Sequence, residues 1–419
     1  MKPQSFMVIA GEASGDTLAA ELVRALRQES ATSPAIPTAD LQPLRTSLEP
    51  RFFGAGGPRM AAEGVDLAFD MTVYSVIGVS DVLKNYLKFR RLFCQLCQLA
   101  RARQPDAIVC VDFSGFNRRF AHAIQQYTRA HADWFHDWDP KLIQYISPQV
   151  WASREGRAYQ MARDYDLVLS IFPFEKAWYA ERVPQLRVEF VGHPIVDRYG
   201  ERRGARAEGQ GTRDEGRGRQ RIPMIMLLPG SRPDELRRHL PVMLEALALL
   251  RAKLPHLRAR MVLPHEGLVQ QAKAVGLPAT LEVRAGGLPE SLAETDVAIA
   301  STGTVTTECA YFGVPTVALY KTSWSTYQIG RQIVRVKYLA MPNLLANEEV
   351  FPEFIQGAAN PDNITRAALD LLRDASRRAK VKARLAEVVA TLGGPGATRR
   401  AAKAILELLS RQGERPREP

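Results

Sequence analysis

MLLPGSRPDE, residues 226–235, is the stretch that decides the fold of this chain. An apolar run with the length of a buried strand stops at Pro229, turns through Gly230 and Ser231, sets down Arg232 and continues as a charged helix. Strand, glycine turn and helix in that order make the repeating unit of a parallel α/β sheet. The helix start offers unpaired N–H groups to the turn, and Arg232 adds a planar fork of donors suited to a diphosphate. The turn is shaped to hold negative charge.

The same grammar recurs on both sides. SFMVIA, AIVCVDF, LIQYIS, LVLSIF and VEFVG precede it, and RMVLP, VAIAS and TVALY follow, each separated by helical patterns. Short continuous runs rich in Val, Ile and Leu are what strands covered on both faces look like, so the sheets are expected to be parallel and doubly wound, twice over. At 419 residues the chain exceeds one hydrophobic core, and two domains are expected. The break falls at residues 200–221, GERRGARAEGQGTRDEGRGRQR, a Gly, Arg and Glu segment too poor in apolar residues to offset its ordering entropy. The expected division is therefore residues 1–199, a flexible linker at 200–221, a second domain at 222–395, and a helix at 396–412 after the glycine break GGPG. Residues 31–50, with four prolines, look like a surface insertion.

Composition is that of a soluble globular protein, 46% apolar and 24% charged. The net charge of +11 favours acidic partners such as phosphate esters, anionic lipid or nucleic acid without choosing among them. Four cysteines exclude a disulfide scaffold, and Cys94 and Cys97 form a lone C-x-x-C in a helical pattern, better explained as core residues than as half a zinc site. No metal is expected. The apolar run after Met1 is too short for a signal peptide, and none elsewhere approaches the length needed to span a bilayer. The expected location is the cytosol or the cytosolic side of a membrane surface.

Several turns carry candidate chemistry. Gly11-Glu12-Ala13-Ser14-Gly15-Asp16 ends the first strand and opens a helix that could receive an anion or a hydroxyl-bearing ligand, with Ser14 or Asp16 serving alternatively as its cap. In FFGAGGPRM (52–60), Gly54, Gly56 and Gly57 leave room for a ligand or another loop. Asp112 stands at the end of a buried strand, where ligand crevices of open parallel sheets form, and a carboxylate there can act as general base or simply hold its loop. Downstream, ASTGTVTTECA repeats the strand, small-residue turn and helix device, with Glu308 placed to accept from ribose hydroxyls; two such turns in one domain fit a nucleoside diphosphate. Residues 76–103 combine an apolar stripe (Val79, Leu83, Leu87, Phe93, Leu96, Leu99) with flanking lysines and arginines, which suits either core packing or a helix lying on anionic lipid.

GEASGD, FGAGGPRM, VIGVSDVL, the D-x-x-G-F-N around Asp112, YISPQVWA, FVGHPIVD, LLPGSR, T-G-T-V-T-x-E and MPNLLA occur in this order, and together they resemble the lipid-A-disaccharide synthase family over roughly residues 6–410. The resemblance implies a GT-B glycosyltransferase, two Rossmann-like domains facing across a cleft, with the last helix crossing back to the N-terminal domain. It implies transfer of 2,3-diacylglucosamine from UDP-2,3-diacylglucosamine to 2,3-diacylglucosamine 1-phosphate, giving the β-1,6-linked disaccharide 1-phosphate and UDP without a cofactor. On these motifs Asp112 becomes the expected base and Arg232 the diphosphate clamp, with Gly230, Ser231, Thr302, Gly303, Thr304, Glu308, Gln328, Asn343 and His193 assigned to the UDP-sugar, Asn343 alternatively holding its own loop and His193 alternatively shaping the hinge. Glu12, Ser14, Gly15, Asn117 and Ser147 are assigned to the acceptor. Because both substrates carry acyl chains, Val76, Ile77, Val79, Val82, Leu83 and Leu87 are expected to contact lipid, on the cytoplasmic face of the inner membrane. A homodimer is also implied. The chain departs from the family pattern at Ser153, where an aromatic residue is usual.

Two rivals follow from the same features. A UDP-N-acetylglucosamine 2-epimerase or another lipid-linked GT-B glycosyltransferase would use similar phosphate turns, the epimerase without an acyl-chain surface. A nucleic-acid-binding protein would use the net charge and the arginine-rich linker, yet no aromatic and basic surface motif accompanies them, so nucleic acid is not an expected partner.

Overall fold

Side chains of strand β1 (Ser5–Ala10) alternate, Phe6, Val8 and Ala10 towards one hydrophobic layer and Met7 and Ile9 towards another, and all five are fully buried. A strand covered on both faces needs helices above and below, which parallel crossover connections supply. The computed structural model describes residues 3–32, 49–75, 86–133, 136–200 and 222–413. Around β1 it assembles β2 (Arg51–Gly56), β3 (Asp66–Asp70), β4 (Ala107–Val111), β5 (Lys141–Tyr145), β6 (Leu167–Ser170) and β7 (Arg187–Phe190) into one parallel sheet of order β3-β2-β1-β4-β5-β6-β7. A second parallel sheet, β10-β9-β8-β11-β12-β13, joins β8 (Met224–Leu228), β9 (Arg258–Leu263), β10 (Leu281–Ala285), β11 (Val297–Ser301), β12 (Thr316–Tyr320) and β13 (Glu353–Ile355). The two sheets belong to two units, Met1–Asp197 with Gly393–Pro419, and Arg198–Leu392.

An aspartate immediately before a strand fixes the neighbouring strand in both sheets. Asp106, before β4, accepts from the Ser5 N–H at 2.7 Å; Asp166, before β6, accepts from Leu142 at 2.8 Å; Asp296, before β11, accepts from Met224 at 2.8 Å. Each carboxylate satisfies a donor at the bottom of a strand and so helps set register.

Strands β2, β3, β10 and β13 were not among the runs the sequence predicts. The instructive one is β2, which contains FFGAG of the supposed ligand turn. Its glycines answer internal needs. Gly54 has φ +148°, and a Cβ there would run into the Val8 carbonyl of β1; one at Gly56 would strike the Met60 sulfur. A register shift between Gly54 and Ala55 opposite β3 marks the same close approach. The predicted linker lies, from residue 201 to 221, outside the described residues, as do residues 33–48 of the 31–50 insertion.

The helix Ala397–Gly413 completes the first unit. Ala401, Ala402, Ile405 and Leu409 join the layer built on Phe6, Val8 and the helix Ala13–Thr32, the small alanines allowing close approach. Its start is tied down by Asp197, whose carboxylate accepts from Gly396, Ala397 and Thr398 N–H at 2.5, 3.3 and 3.0 Å. Arg400 adds donations to the carbonyls of Val191, Pro395 and Gly394. Removing the cap in Asp197→Ala is expected to cost about 1–2 kcal/mol. Urea titration should show a lower midpoint at unchanged slope, with amide exchange accelerating first at the start of this helix.

Candidate active site

In the first sheet the winding direction reverses between β1 and β4, which pair directly, Ala10 opposite Val111. Ligands of open parallel sheets bind beyond the strand ends at such a point. Here it brings together the two segments that follow, Gly11–Asp16 and Asp112–Asn117. Gly11 is required by this contact, because a Cβ would enter the Phe113 ring.

Asp112 and Phe113 have φ of +49° and +42°, two successive left-handed residues without glycine, each costing on the order of 1 kcal/mol. Hydrogen bonds hold the turn. The Asp112 N–H donates to Tyr145 O at 2.9 Å, and its carbonyl accepts from Asn117 Nδ2 at 2.9 Å and Gln144 Nε2 at 3.2 Å. The result is a half-buried Asp112 in a fixed bend at the head of the helix Ser114–His131. Asn117, expected at the acceptor, is instead fully buried with its amide nitrogen on the carbonyls of Val111 and Asp112; it shapes the bend.

Asp16 also differs from its expected role. It does not cap its own helix. Buried, it accepts from the N–H groups of Gly57, Arg59 and Met60 at 2.8, 3.0 and 3.0 Å, capping the helix Pro58–Ala62 forty residues on. A Cβ at Gly57 would meet that carboxylate, so Asp16 locks GEASGD directly onto FGAGGPRM. Ser14 is exposed in the first turn of the helix Ala13–Thr32, and Glu12, half-buried, accepts the Asp16 N–H on its carbonyl. Gly15 is buried beside β4, where a methyl would make only ordinary contacts.

Ser147 is buried too, its hydroxyl donating to the Tyr179 oxygen at 3.2 Å. Beside it lies a carboxyl the sequence did not reveal. Glu175, fully buried, accepts from Trp151 Nε1 at 2.9 Å and from the Phe172 N–H at 3.3 Å. Burial pushes its pKa up to about 7 against these donors. His193 packs on the Phe172 ring, its Nδ1 accepting the Ile195 N–H at 3.1 Å. It belongs to the first unit, whereas the other residues assigned to the nucleotide lie in the second.

In the second sheet the reversal lies between β8 and β11, Leu228 opposite Ala300, and again unites two predicted turns. Gly230 has φ +128° and Gly303 φ +130°, conformations that favour glycine. The Ser231 N–H donates to Glu235 Oε2 at 2.9 Å, and the mostly exposed Arg232 lies 3.7 Å from Glu235 Oε1, so the turn holds a carboxylate of its own helix, Pro233–Lys253. His239, fully buried, donates from Nδ1 to Pro229 O at 2.7 Å and accepts the Lys321 N–H on Nε2 at 3.0 Å. These partners fix the tautomer, burial lowers the pKa, and the neutral ring pins the LLPGS turn to the end of β12.

Thr302 N–H donates to Leu319 O at 3.0 Å; Gly303 and Thr304 are exposed, with open space where a Gly303 side chain would lie. Thr306, in the helix Thr304–Tyr311, donates to Gly303 O at 2.6 Å and accepts the Met341 N–H at 3.2 Å, joining this turn to MPNLLA. Glu308 accepts from the Tyr199 hydroxyl at 3.1 Å on one oxygen; its pKa is raised by burial. Asn343 does not face a ligand. Fully buried, it bonds Val350 N, Phe351 N, Phe351 O and Glu353, spending its whole amide on its own loop. Gln328 is half-buried in the helix Trp324–Ile333.

Of the predicted lipid contacts, Val76, Ile77, Val79, Val82 and Leu83 lie outside the described residues, and Leu87 is 68% exposed. The rest of that stripe is core. In the helix Tyr86–Arg103, Leu96 is fully buried and Phe93 and Leu99 pack against the same layer. Among the described residues no helix is long and apolar enough to cross a membrane.

The second unit thus brings two glycine turns together at its switch point, and the first offers a positioned carboxylate at its own. The model of the lipid-A-disaccharide synthetase family matches residues 6–408. The chain belongs to this family. The lipid-A-disaccharide synthase of Myxococcus xanthus (strain DK1622) is 34% identical over 414 residues, covering 97% of this chain and 98% of the relative. That of Alkalilimnicola ehrlichii is 35% identical over 410 residues, covering 95% and 97%. Among solved structures, a Staphylococcus aureus MnaA–UDP co-structure superposes with TM-score 0.59 at 13% identity, covering 99% of each chain. The glycotransferase of kitacinnamycin gives 0.55 at 16%, covering 98% and 100%. These two likenesses are of fold, and the fold is GT-B. Family membership selects the glycosyltransferase over the epimerase.

The locks made by Asp16, Thr306 and His239 and the buried Glu175 escaped the sequence. Only Asp16 left a local signal, as the terminal residue of a glycine turn. Glu175 has a measurable consequence. A carboxyl whose folded pKa is about 7 against 4.5 unfolded contributes stability that is complete below pH 4.5 and lost as pH rises through 7. Glu175→Gln should abolish this slope, a difference of roughly 3 kcal/mol across the window. Urea midpoints of both proteins at pH 5, 6, 7 and 8 test it; parallel curves would contradict it.

Proposed function

We propose that the first unit binds the lipid acceptor and the second the UDP-sugar, with Asp112 as general base and Arg232 at the diphosphate. The enzyme is a lipid-A-disaccharide synthase by family, transferring 2,3-diacylglucosamine from UDP to the 6-hydroxyl of 2,3-diacylglucosamine 1-phosphate. The product is the β-1,6-linked disaccharide 1-phosphate. Asp112 takes the proton of that hydroxyl as its oxygen attacks the anomeric carbon, and UDP departs from the opposite face. Positioning and electrostatics then supply most of the acceleration.

The observation that carries this reading is the bend at Asp112. Two left-handed non-glycine residues, held by Tyr145, Gln144 and Asn117, keep one carboxylate at a switch point. Strain of this kind persists where surrounding bonds over-determine it, as at catalytic positions. In the second unit, Ser231 N–H and Arg232 already hold the Glu235 carboxylate, which supports affinity for anionic oxygens at that turn. We place the protein at the cytoplasmic face of the inner membrane, where its acylated substrates reside, with Leu87 near lipid.

Mass spectrometry after mixing the protein with both substrates should show the disaccharide 1-phosphate. Asp112→Asn should lower turnover by at least 1,000-fold, on the order of what a positioned base contributes, while UDP-sugar binding persists. Arg232→Ala should lose both. Near-normal turnover in the Asn variant would remove Asp112 from the role of base.

A further inference from the structure

Four arginines gather beside the Asp112 bend. Arg118 and Arg119 lie early in the helix Ser114–His131, which that bend opens. Arg154 follows the YISPQVWAS segment, and Arg157 begins the helix Arg157–Asp164. Two cross-links hold the helices side by side and in the same direction. Arg118 Nη1 donates to Gln160 Oε1, and His122 Nδ1 lies 3.1 Å from Asp164 Oδ1, the two pairs spaced by four residues on both helices. Their starts, which bear the arginines, are therefore together.

Among the described residues none of the four is ion-paired. Glu155, the acid within the segment, is paired with Arg182 at 3.6 Å, and Asp164 with Arg163 at 3.0 Å. Burial, and then the charges of Arg118, Arg154 and Arg119, push the Arg157 guanidinium below its usual pKa. Converging guanidinium groups raise the free energy of the empty protein, and an anion arriving among them relieves it. Guanidinium forks match phosphate oxygens in pairs, which makes a phosphate monoester the fitting occupant.

We infer that Arg118, Arg154 and Arg157, with Arg119 at the rim, form a subsite for the phosphate group of the acceptor. This rests on the function proposed above, in which the acceptor carries a 1-phosphate and Asp112 meets its 6-hydroxyl. The two groups are carried by one sugar, on either side of its ring oxygen, and Asp112 and Arg118 lie close in sequence at the start of one helix. The phosphate would then set which way round the sugar lies, and the arginines act on acceptor selection with no direct part in proton transfer.

The test compares two acceptors, 2,3-diacylglucosamine 1-phosphate and the same molecule without its phosphate, in wild type, Arg157→Ala, Arg154→Ala/Arg157→Ala and Arg157→Lys. Wild type should prefer the phosphorylated acceptor by at least 10-fold in kcat/KM. The double variant should lose that preference through a raised acceptor KM, with donor KM and the rate on the dephosphorylated acceptor retained. Arg157→Lys should recover part of it. Equal losses on both acceptors, or an intact preference, would overturn the inference, and melting temperatures separate a failure to fold. Weaker sedimentation with phosphatidylglycerol vesicles at unchanged preference would also overturn it, assigning the arginines to the bilayer. If wild type couples neither acceptor to the UDP-sugar, the proposed function itself fails.

Discussion

A parallel sheet wound in both directions from one strand leaves an opening that no crossover helix can cover, and the loop pairs described above depend on that constraint. It occurs twice, between β1 and β4 and between β8 and β11. At each opening, two loops separated by many residues leave adjacent strand ends side by side. The glycine turn GEASGD meets the Asp112 bend, and LLPGSR meets STGT, because their strands are neighbours and for no other reason.

Adjacent loops are not yet a site; they must be held against thermal motion and against their own strain. The chain does this with buried polar groups that each tie one loop to another. Asp16 spans two motifs through three N–H groups, His239 joins a turn to the end of β12, and Thr306 joins STGT to MPNLLA. Burial makes such ties consequential. A donor left unpaired away from water costs about 1–3 kcal/mol, so each group resists displacement. The same principle applies to Asn117 and Asn343: the Asn117 amide nitrogen and the whole Asn343 amide hold the loops on which Asp112 and Met341 sit.

The electrostatics of the two units differ in kind. The second meets its glycine turn with an internal carboxylate, Glu235, while in the first, among the described residues, the four arginines near Asp112 form no ion pair. A net charge of +11 does not reveal this, since it counts residues wherever they lie. What matters for a phosphate is convergence, and the helix pairing fixed by Gln160 and Asp164 produces it.

Much was legible in the residues alone. Continuous apolar runs specified central strands, since only a strand buried on both faces tolerates them, and the order of turns specified parallel α/β units and the family. Edge strands β3, β10 and β13 escaped because half-buried strands lack such runs, and β2 because its glycines imitate a ligand loop. By itself the sequence determined the two-sheet architecture and the family, and it singled out the turns in which Asp112 and Arg232 are the proposed reactive groups. Only the tertiary structure decided that Asp16 caps a distant helix, that Asn117 and Asn343 face inward, that Glu175 lies buried and that the arginines meet. Periodicity along a chain encodes which faces are apolar, but the partner of a buried polar group is chosen by strand order, which no local pattern contains.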